Sequence, residues 1–219
     1  MITLALEAST YAGSVAVLKG SRVLAERTVA MRGRESEALM PAVATVLDEC
    51  GVAPGQLGRV VCGAGPGSFT SLRIAGGIAK GIAMAVGIPL VPVSSLAIVV
   101  ASGESRAAGR YLAALDALRG EHYVELYQIP DDGDIALLMA ARRVPSSDVV
   151  RTAERLEATI VGQGAGVMTA PHARSIRYLT KLLDATTPAD LALWEPVYGR
   201  LAEAQVKWEA DHGRPLLPQ

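Results

Sequence analysis

The chain has 219 residues, half of them hydrophobic but only 4% aromatic, which is enough for two small lobes with cores of Ala, Val, Leu and Ile. A net charge of −1 excludes a global basic field for nucleic acid or an anionic membrane, so any RNA contact has to be local or made by a partner. Two cysteines, Cys50 and Cys62, with no signal peptide ahead of the first strand, point to a reducing cytoplasm. No uninterrupted apolar run looks long enough to span a bilayer, because 78–93 is broken by Lys80, glycines and prolines.

In chain order, alternation predicts strands at 3–8, 13–18 and 22–28, the last two joined at Lys19-Gly20-Ser21. A helix over 36–50 follows. Leu39, Met40, Val43, Val46, Leu47 and Cys50 form one apolar stripe on it, and Gly51 ends it. A strand at 59–62 runs through Gly63-Ala-Gly-Pro-Gly67 into a helix over 69–86, with Ser68 and Thr70 as good N-cap residues. A strand at 89–93 and a short apolar helix at 95–102 complete the first half. The second half repeats the order: strands at 111–116, 122–129 and 135–144, a turn at 131–134, a helix at 147–156 and a strand at 158–162. This pattern, made twice, predicts an α/β fold of two similar mixed-sheet lobes meeting at a cleft, over 1–102 and 103–219. Further on, 170–183, 188–193 and 201–208 look helical, 195–198 extended because Pro196 disfavours helix before it, and 213–218 a loose tail.

The glycine turn can bring backbone N–H groups to an anion, or it can simply be tight. It lacks the Lys-Ser/Thr of a Walker A loop and the position of a dinucleotide fingerprint, so the tight turn is the favoured reading. Glu7-Ala8-Ser9-Thr10 ends the first strand, and Asp116 holds the corresponding place in the second pass. One carboxylate per lobe facing a cleft would suit metal–phosphate chemistry, which makes Glu7, Ser9, Thr10, Gly65, Gly67 and Asp116 the candidates for nucleotide contact. The plainer reading of Glu7 is a partly exposed residue at a strand-end turn. His122, His172 and His212 have no partner at metal-ligand spacing, and His122 reads as a surface or cross-strand residue. No nucleophile elbow or paired catalytic carboxylates can be read. The helix over 69–86 is apolar nearly all round, with Arg73 and Lys80 its only charges, so it needs cover on more than one side. The sheet can give one side. The helix over 36–50 or another chain can give the other, and Gly77 and Gly81 would let a helix approach closely; full burial within this one chain is the alternative.

Leu4-Ala-Leu-Glu-Ala-Ser-Thr10 with Ser14-Val-Ala-Val17, and Gly65-Pro-Gly-Ser-Phe-Thr-Ser-Leu-Arg-Ile74, resemble the opening and the signature segment of the TsaB (YeaZ) family. Pro92-Val-Ser-Ser-Leu96, Ala114-Leu-Asp-Ala-Leu-Arg-Gly-Glu121 with Tyr123, and Glu195-Pro-Val-Tyr-Gly-Arg200 match later segments in order, so the resemblance covers nearly the whole chain. It implies an actin-like, Hsp70-like fold and a role in forming N6-threonylcarbamoyladenosine next to the anticodon of tRNA. It implies a non-catalytic subunit that pairs with a TsaD-type transferase and is joined by a TsaE-type ATPase. Nucleotide and metal would be held by those partners, and tRNA met only through the complex. Pairing in the family uses the two helices of the first lobe, here through Leu39, Met40, Val43, Leu47, Leu72, Ala75, Ile78, Ala79, Ile82 and Val86, and a homodimer is expected when the partner is absent. The family usually carries Asp at Glu7, often His at Glu35, and Gly at Ser71 and Ala75. The His-x-x-x-His metal pair of the catalytic relative has no counterpart in Gly33-Arg-Glu-Ser-Glu-Ala-Leu-Met-Pro41. The competing reading is an active ATPase or small-molecule kinase on the same fold, and the older peptidase label finds no catalytic constellation.

Overall fold

A computed structural model describes residues 1–32, 37–103, 107–131, 135–163, 167–199, 208 and 211–213. The first sheet contains β1 (Ile2–Glu7), β2 (Ala12–Lys19), β3 (Arg22–Ala30), β4 (Arg59–Gly63) and β5 (Leu90–Val93), in the order β3-β2-β1-β4-β5. The hairpin strands pair antiparallel and β4 and β5 join parallel. The second sheet contains β6 (Gly109–Asp116), β7 (Glu121–Ile129), β8 (Ala136–Pro145), β9 (Ala158–Gly162) and β10 (Val167–Met168), in the order β10-β9-β6-β7-β8. Matched strand by strand, the two orders are the same, with the same parallel and antiparallel pairings. The duplication inferred from element order is therefore a duplication of topology.

Both faces of the first sheet are covered, which is why β1 and β2 read as nearly continuous apolar runs. On the outer face Leu4, Leu6, Val15, Val17, Val60 and Cys62 pack under α1 (Leu39–Glu49) and α2 (Phe69–Val86). On the inner face Ala5, Ala16, Leu18 and Val61 share one core with α3 (Ser95–Ser102) and with Tyr111, Leu115, Tyr123 and Tyr127 of the second sheet. The two lobes meet through this shared core, in which α3 is buried between the two sheets. The outer face of the second sheet carries α4 (Val149–Arg155) on Leu112, Ala114, Val124 and Leu126.

The chain after β10 differs most from expectation. The helix read over 170–183 divides into a 3-10 turn at Ala173–Tyr178 and α5 (Thr180–Ala185). Its first amides are drawn to side chains instead: His172 N donates to Ser102 Oγ (3.1 Å), Ala173 N to Ser14 Oγ (2.9 Å) and Arg174 N to His172 Nδ1 (3.2 Å). The helix read over 188–193 does not form. Ala189 N bonds Leu90 O at 2.8 Å, which lays the segment along β5, and Leu191–Leu193 turn. Residues 195–198 are non-helical, as expected, and the segment 189–198 runs back across the first lobe. The helix read over 147–156 starts as a 3-10 turn, Ser146–Asp148, ahead of α4. The helix read from 36 begins only at Leu39, with Glu37 accepting from the Leu39 and Met40 amides, and residue 36, the turn at 132–134 and all but Trp208 of the helix at 201–208 lie outside the described residues.

Candidate functional site

Three backbone donors of the loop between β4 and α2 are used inside the chain. Ala64 N donates to Val93 O at 2.7 Å, Gly65 N to Ser95 Oγ at 3.1 Å and Ser68 N to Ser9 O at 2.7 Å, while Pro66 has none to give. Gly65 sits at φ +89°, and a Cβ there would overlap the Val197 carbonyl; a Cβ on Gly67 would overlap the Ser9 backbone. These glycines let three chain segments touch, which is the tight-turn reading. Ser68 occupies the N-cap, but its hydroxyl meets Ser71 Oγ (3.0 Å) instead of a backbone N–H, and Thr70 lies exposed within the helix.

Glu7 is fully buried, which corrects the expectation of a partly exposed carboxylate. Its Oε1 accepts from Ser9 N (2.6 Å) and its Oε2 from Ser95 Oγ (2.9 Å), in the space left by Gly63, where a Cβ would overlap the carboxylate. Burial pushes the Glu7 carboxyl above its ordinary range, and hydrogen bonds from Ser9 and Ser95 offset part of that. The neighbouring Cys62 thiol is also pushed up, by burial and then by Glu7. The structure thus gathers Glu7, Ser9, Gly65 and Gly67 into one packed corner. Thr10 turns away to the backbone of Ala12, and Asp116 is exposed and accepts from Leu118 N (2.8 Å) in its hairpin.

Sequence reasoning missed Glu125. Its carboxylate, on the inner face of β7, accepts from Ser94 Oγ and Tyr127 Oη, and burial pushes it up as well. Each sheet therefore sends one buried carboxyl to consecutive serines at the head of α3. Period-two spacing between Tyr123 and Tyr127 was the available signal, since it puts Glu125 on the buried face. His122 is buried rather than at the surface, with Nδ1 on Ser146 Oγ (2.9 Å) and Nε2 on Gln163 O (3.1 Å). Among the described residues no group of three His, Cys, Asp or Glu is placed to hold a metal.

The outward face of α2 is the second feature. Ala75 and Ala79 pack in the core under α2, as do Leu39, Val43 and Leu47 of α1, and Leu72 is buried beside Gly65, so these six side chains are covered within the chain itself. On α1 the expected stripe is the side turned to the sheet at Leu39, Val43, Val46 and Leu47, while Met40 is exposed. Ile78, Ile82 and Val86 are half-buried and Met40 is exposed. Between them α2 exposes Gly77, Gly81, Met84 (65% exposed) and Ala85, and a Cβ on either glycine would meet nothing within 4 Å. One flank of this strip is α1. The other is the segment 189–198, where Pro196 and Trp194 pack on Gly76 and Lys80 Nζ donates to Trp194 O (3.0 Å). This returning segment is cover that sequence reasoning did not find. By length and apolar content alone α2 could cross a membrane, contrary to the reading of broken apolar runs; here it is packed on β4.

Duplicated sheets of this order around a shared helix define a two-lobed α/β protein. The family TsaD: tRNA N6-adenosine threonylcarbamoyltransferase matches residues 29–144. The tRNA threonylcarbamoyladenosine biosynthesis protein TsaB of Bacillus subtilis is 31% identical over 95% of this chain and 98% of its own, and that of Escherichia coli 36% identical over 61% and 58%. The solved structure of YeaZ from Pseudomonas aeruginosa superposes with a TM-score of 0.76 at 30% identity, covering 90% of this chain and 99% of that one. The chain belongs to the TsaB (YeaZ) family.

Proposed function

We propose that this chain is the non-catalytic partner subunit in tRNA threonylcarbamoyladenosine biosynthesis, docking a TsaD-type transferase on the exposed strip of α2 and activating it. The observation that carries this reading is the strip itself: Gly77 and Gly81 leave bare helix backbone beside exposed Met84 and Ala85, a surface that admits another helix at close range. The family match to the transferase over residues 29–144 and the names of the relatives support the same partner. The loop donors engaged within the chain support the view that ATP, ADP and metal are held by the transferase and a TsaE-type ATPase. On this reading tRNA is met through the complex, in the cytoplasm, and a homodimer on the same strip forms when the partner is missing. The test is the solution mass of the chain with and without the transferase. A stoichiometric complex that Met84→Glu abolishes supports the proposal; no complex, while a homologous pair assembles under the same conditions, refutes it.

A further inference from the structure

The exposed strip of α2 is too narrow to hold a partner alone. Gly77, Gly81, Met84 and Ala85 are four residues, two of them without a side chain, whereas a stable interface covers about 800 Å² on each partner, roughly 20–30 residues. A partner seated there must also cover what lies beside the strip. On one flank α1 exposes Met40 and then turns polar, at Thr45, Asp48 and Glu49. On the other flank the returning segment exposes Leu193 (80%) and Val197 (60%). Leu193 is the most exposed large apolar side chain among the described residues. Both lie directly beside α2: Trp194 and Pro196 pack on Gly76, Lys80 Nζ donates to Trp194 O, and Tyr198 lies against Phe69. Exposure alternates along this stretch, with Pro196 buried, Trp194 and Tyr198 half-buried, and Glu195 and Val197 exposed. One row of side chains therefore meets the helix and the other is left to solvent. The segment is also fixed before any partner arrives, because Ala189 N bonds Leu90 O (2.8 Å) and Val197 N bonds Ala64 O (2.7 Å). Docking on it costs little further ordering.

We propose that the partner docked on α2 also covers the returning segment, with Leu193 and Val197 as apolar contacts on one side of its seat and Met40 on the other. The occupant is the TsaD-type transferase, and the inference rests on its docking to α2. The shape of the seat fixes the chemistry of what fills it: a helix that crosses α2 at its bare glycines and carries large apolar side chains towards residues 193–197. Glu195, exposed between the two contacts, breaks the apolar run and calls for a polar group of the partner at that point. A surface made by α2 alone would accept any helix with small residues at the crossing. The added wall makes the fit depend on a segment that lies more than a hundred residues further along the chain.

The test is hydroxyl-radical footprinting of the full chain, alone and with saturating transferase, followed by titration of a double variant. In the complex Leu193 and Val197 are expected to oxidise several-fold more slowly than in the free chain, and Leu137 and Leu138, exposed on β8 of the other lobe, at an unchanged rate. Leu193→Asp with Val197→Asp is expected to bind the transferase at least about tenfold more weakly than the parent, at an unchanged Tm, because both side chains are exposed in the isolated chain. The footprint is taken on the parent, so it decides even where the substitutions lower the Tm. A complex in which Leu193 and Val197 oxidise as fast as in the free chain overturns the inference, as does a double variant that binds like the parent. If Met84→Glu still abolishes that complex, docking on α2 stands without the added wall. A parent that forms no complex overturns both.

Discussion

Replacing Gly77 and Gly81 by alanine separates the folding of the chain from the proposed partnership, because the two effects have opposite signs. Both glycines lie inside a helix, and a Cβ at either position enters open space. In the isolated chain the change removes backbone entropy from the unfolded state and clashes with nothing. Each substitution is worth about 1 kcal/mol of helix propensity, so the pair stabilises by roughly 2 kcal/mol. For a chain of this size that is a rise of roughly 4–8 °C in Tm.

In the complex the same methyl groups stand where a partner helix would touch bare backbone. Overpacking a close contact costs about 1–3 kcal/mol, which is roughly a 5- to 150-fold loss of affinity. Thermal unfolding of the chain alone and titration with the transferase measure the two halves. A double variant that melts higher and binds more weakly supports the reasoning. Unchanged affinity would mean that the partner does not seat on this part of α2, and a lowered Tm would mean that the strip is not free in the isolated chain.

The buried carboxyls predict a pH dependence of stability. Glu7 and Glu125 are both held above the ordinary carboxylate range by burial, so the folded chain binds more protons than the unfolded one. Their contribution is full below the unfolded carboxylate pKa and is lost as pH rises through the raised folded values, with a slope of up to about 1.4 kcal/mol per pH unit for each group. Glu7→Gln should flatten this decline in denaturant midpoints measured across pH; an equally steep decline in the variant would count against it. Gly63→Ala forces a methyl group onto the Glu7 carboxylate and should cost about 1–3 kcal/mol, and the shorter Glu7→Asp should recover part of that. Strict additivity of the two substitutions would show that they do not share this space. Titration calorimetry of the isolated chain with Mg–ATP should give no saturable heat at millimolar nucleotide; saturable binding that depends on the glycine loop would revive the ATPase reading.

How much of this was legible in the sequence follows from how local each signal is. The strands of the first lobe, both long helices and the repeat of order could be read because period and punctuation are written within ten or twenty residues: Phe69–Val86 has its glycine turn before it and Gly87 after it. The segment 189–198 could not be read that way. Its conformation is set by Leu90, Ala64 and Gly76, about a hundred residues or more earlier in the chain, and nothing in Asp190–Trp194 announces them. The six residues that the chain itself covers show a related limit. On α1 the spacing of the stripe does not say whether a sheet or a partner lies over it, and on α2, apolar nearly all round, it does not say which side meets the sheet. Glu125 was hidden by company, a lone carboxylate in an otherwise ordinary strand.

The glycine loop shows how one local pattern supports two chemistries until its donors are accounted for. An anion cradle needs N–H groups that nothing else has taken. Here Val93, Ser95 and Ser9 accept from three of them, and the Val197 carbonyl lies over Gly65, where a phosphate loop would need to stay open. The consequence falls on α2. Its first turn is held by Ser9 on one side and by Phe69 against Tyr198, with ring centroids 4.4 Å apart, on the other, so the returning segment bears on the helix at Tyr198 as well as at Trp194 and Pro196. Tyr198 O in turn accepts from Tyr123 Oη on β7 (3.3 Å), which ties the head of α2 to the second sheet. A loop that could have held a ligand here holds a helix at a fixed angle, and a helix with bare glycine backbone needs that: its close contacts depend on where the axis lies more than on which side chains it carries.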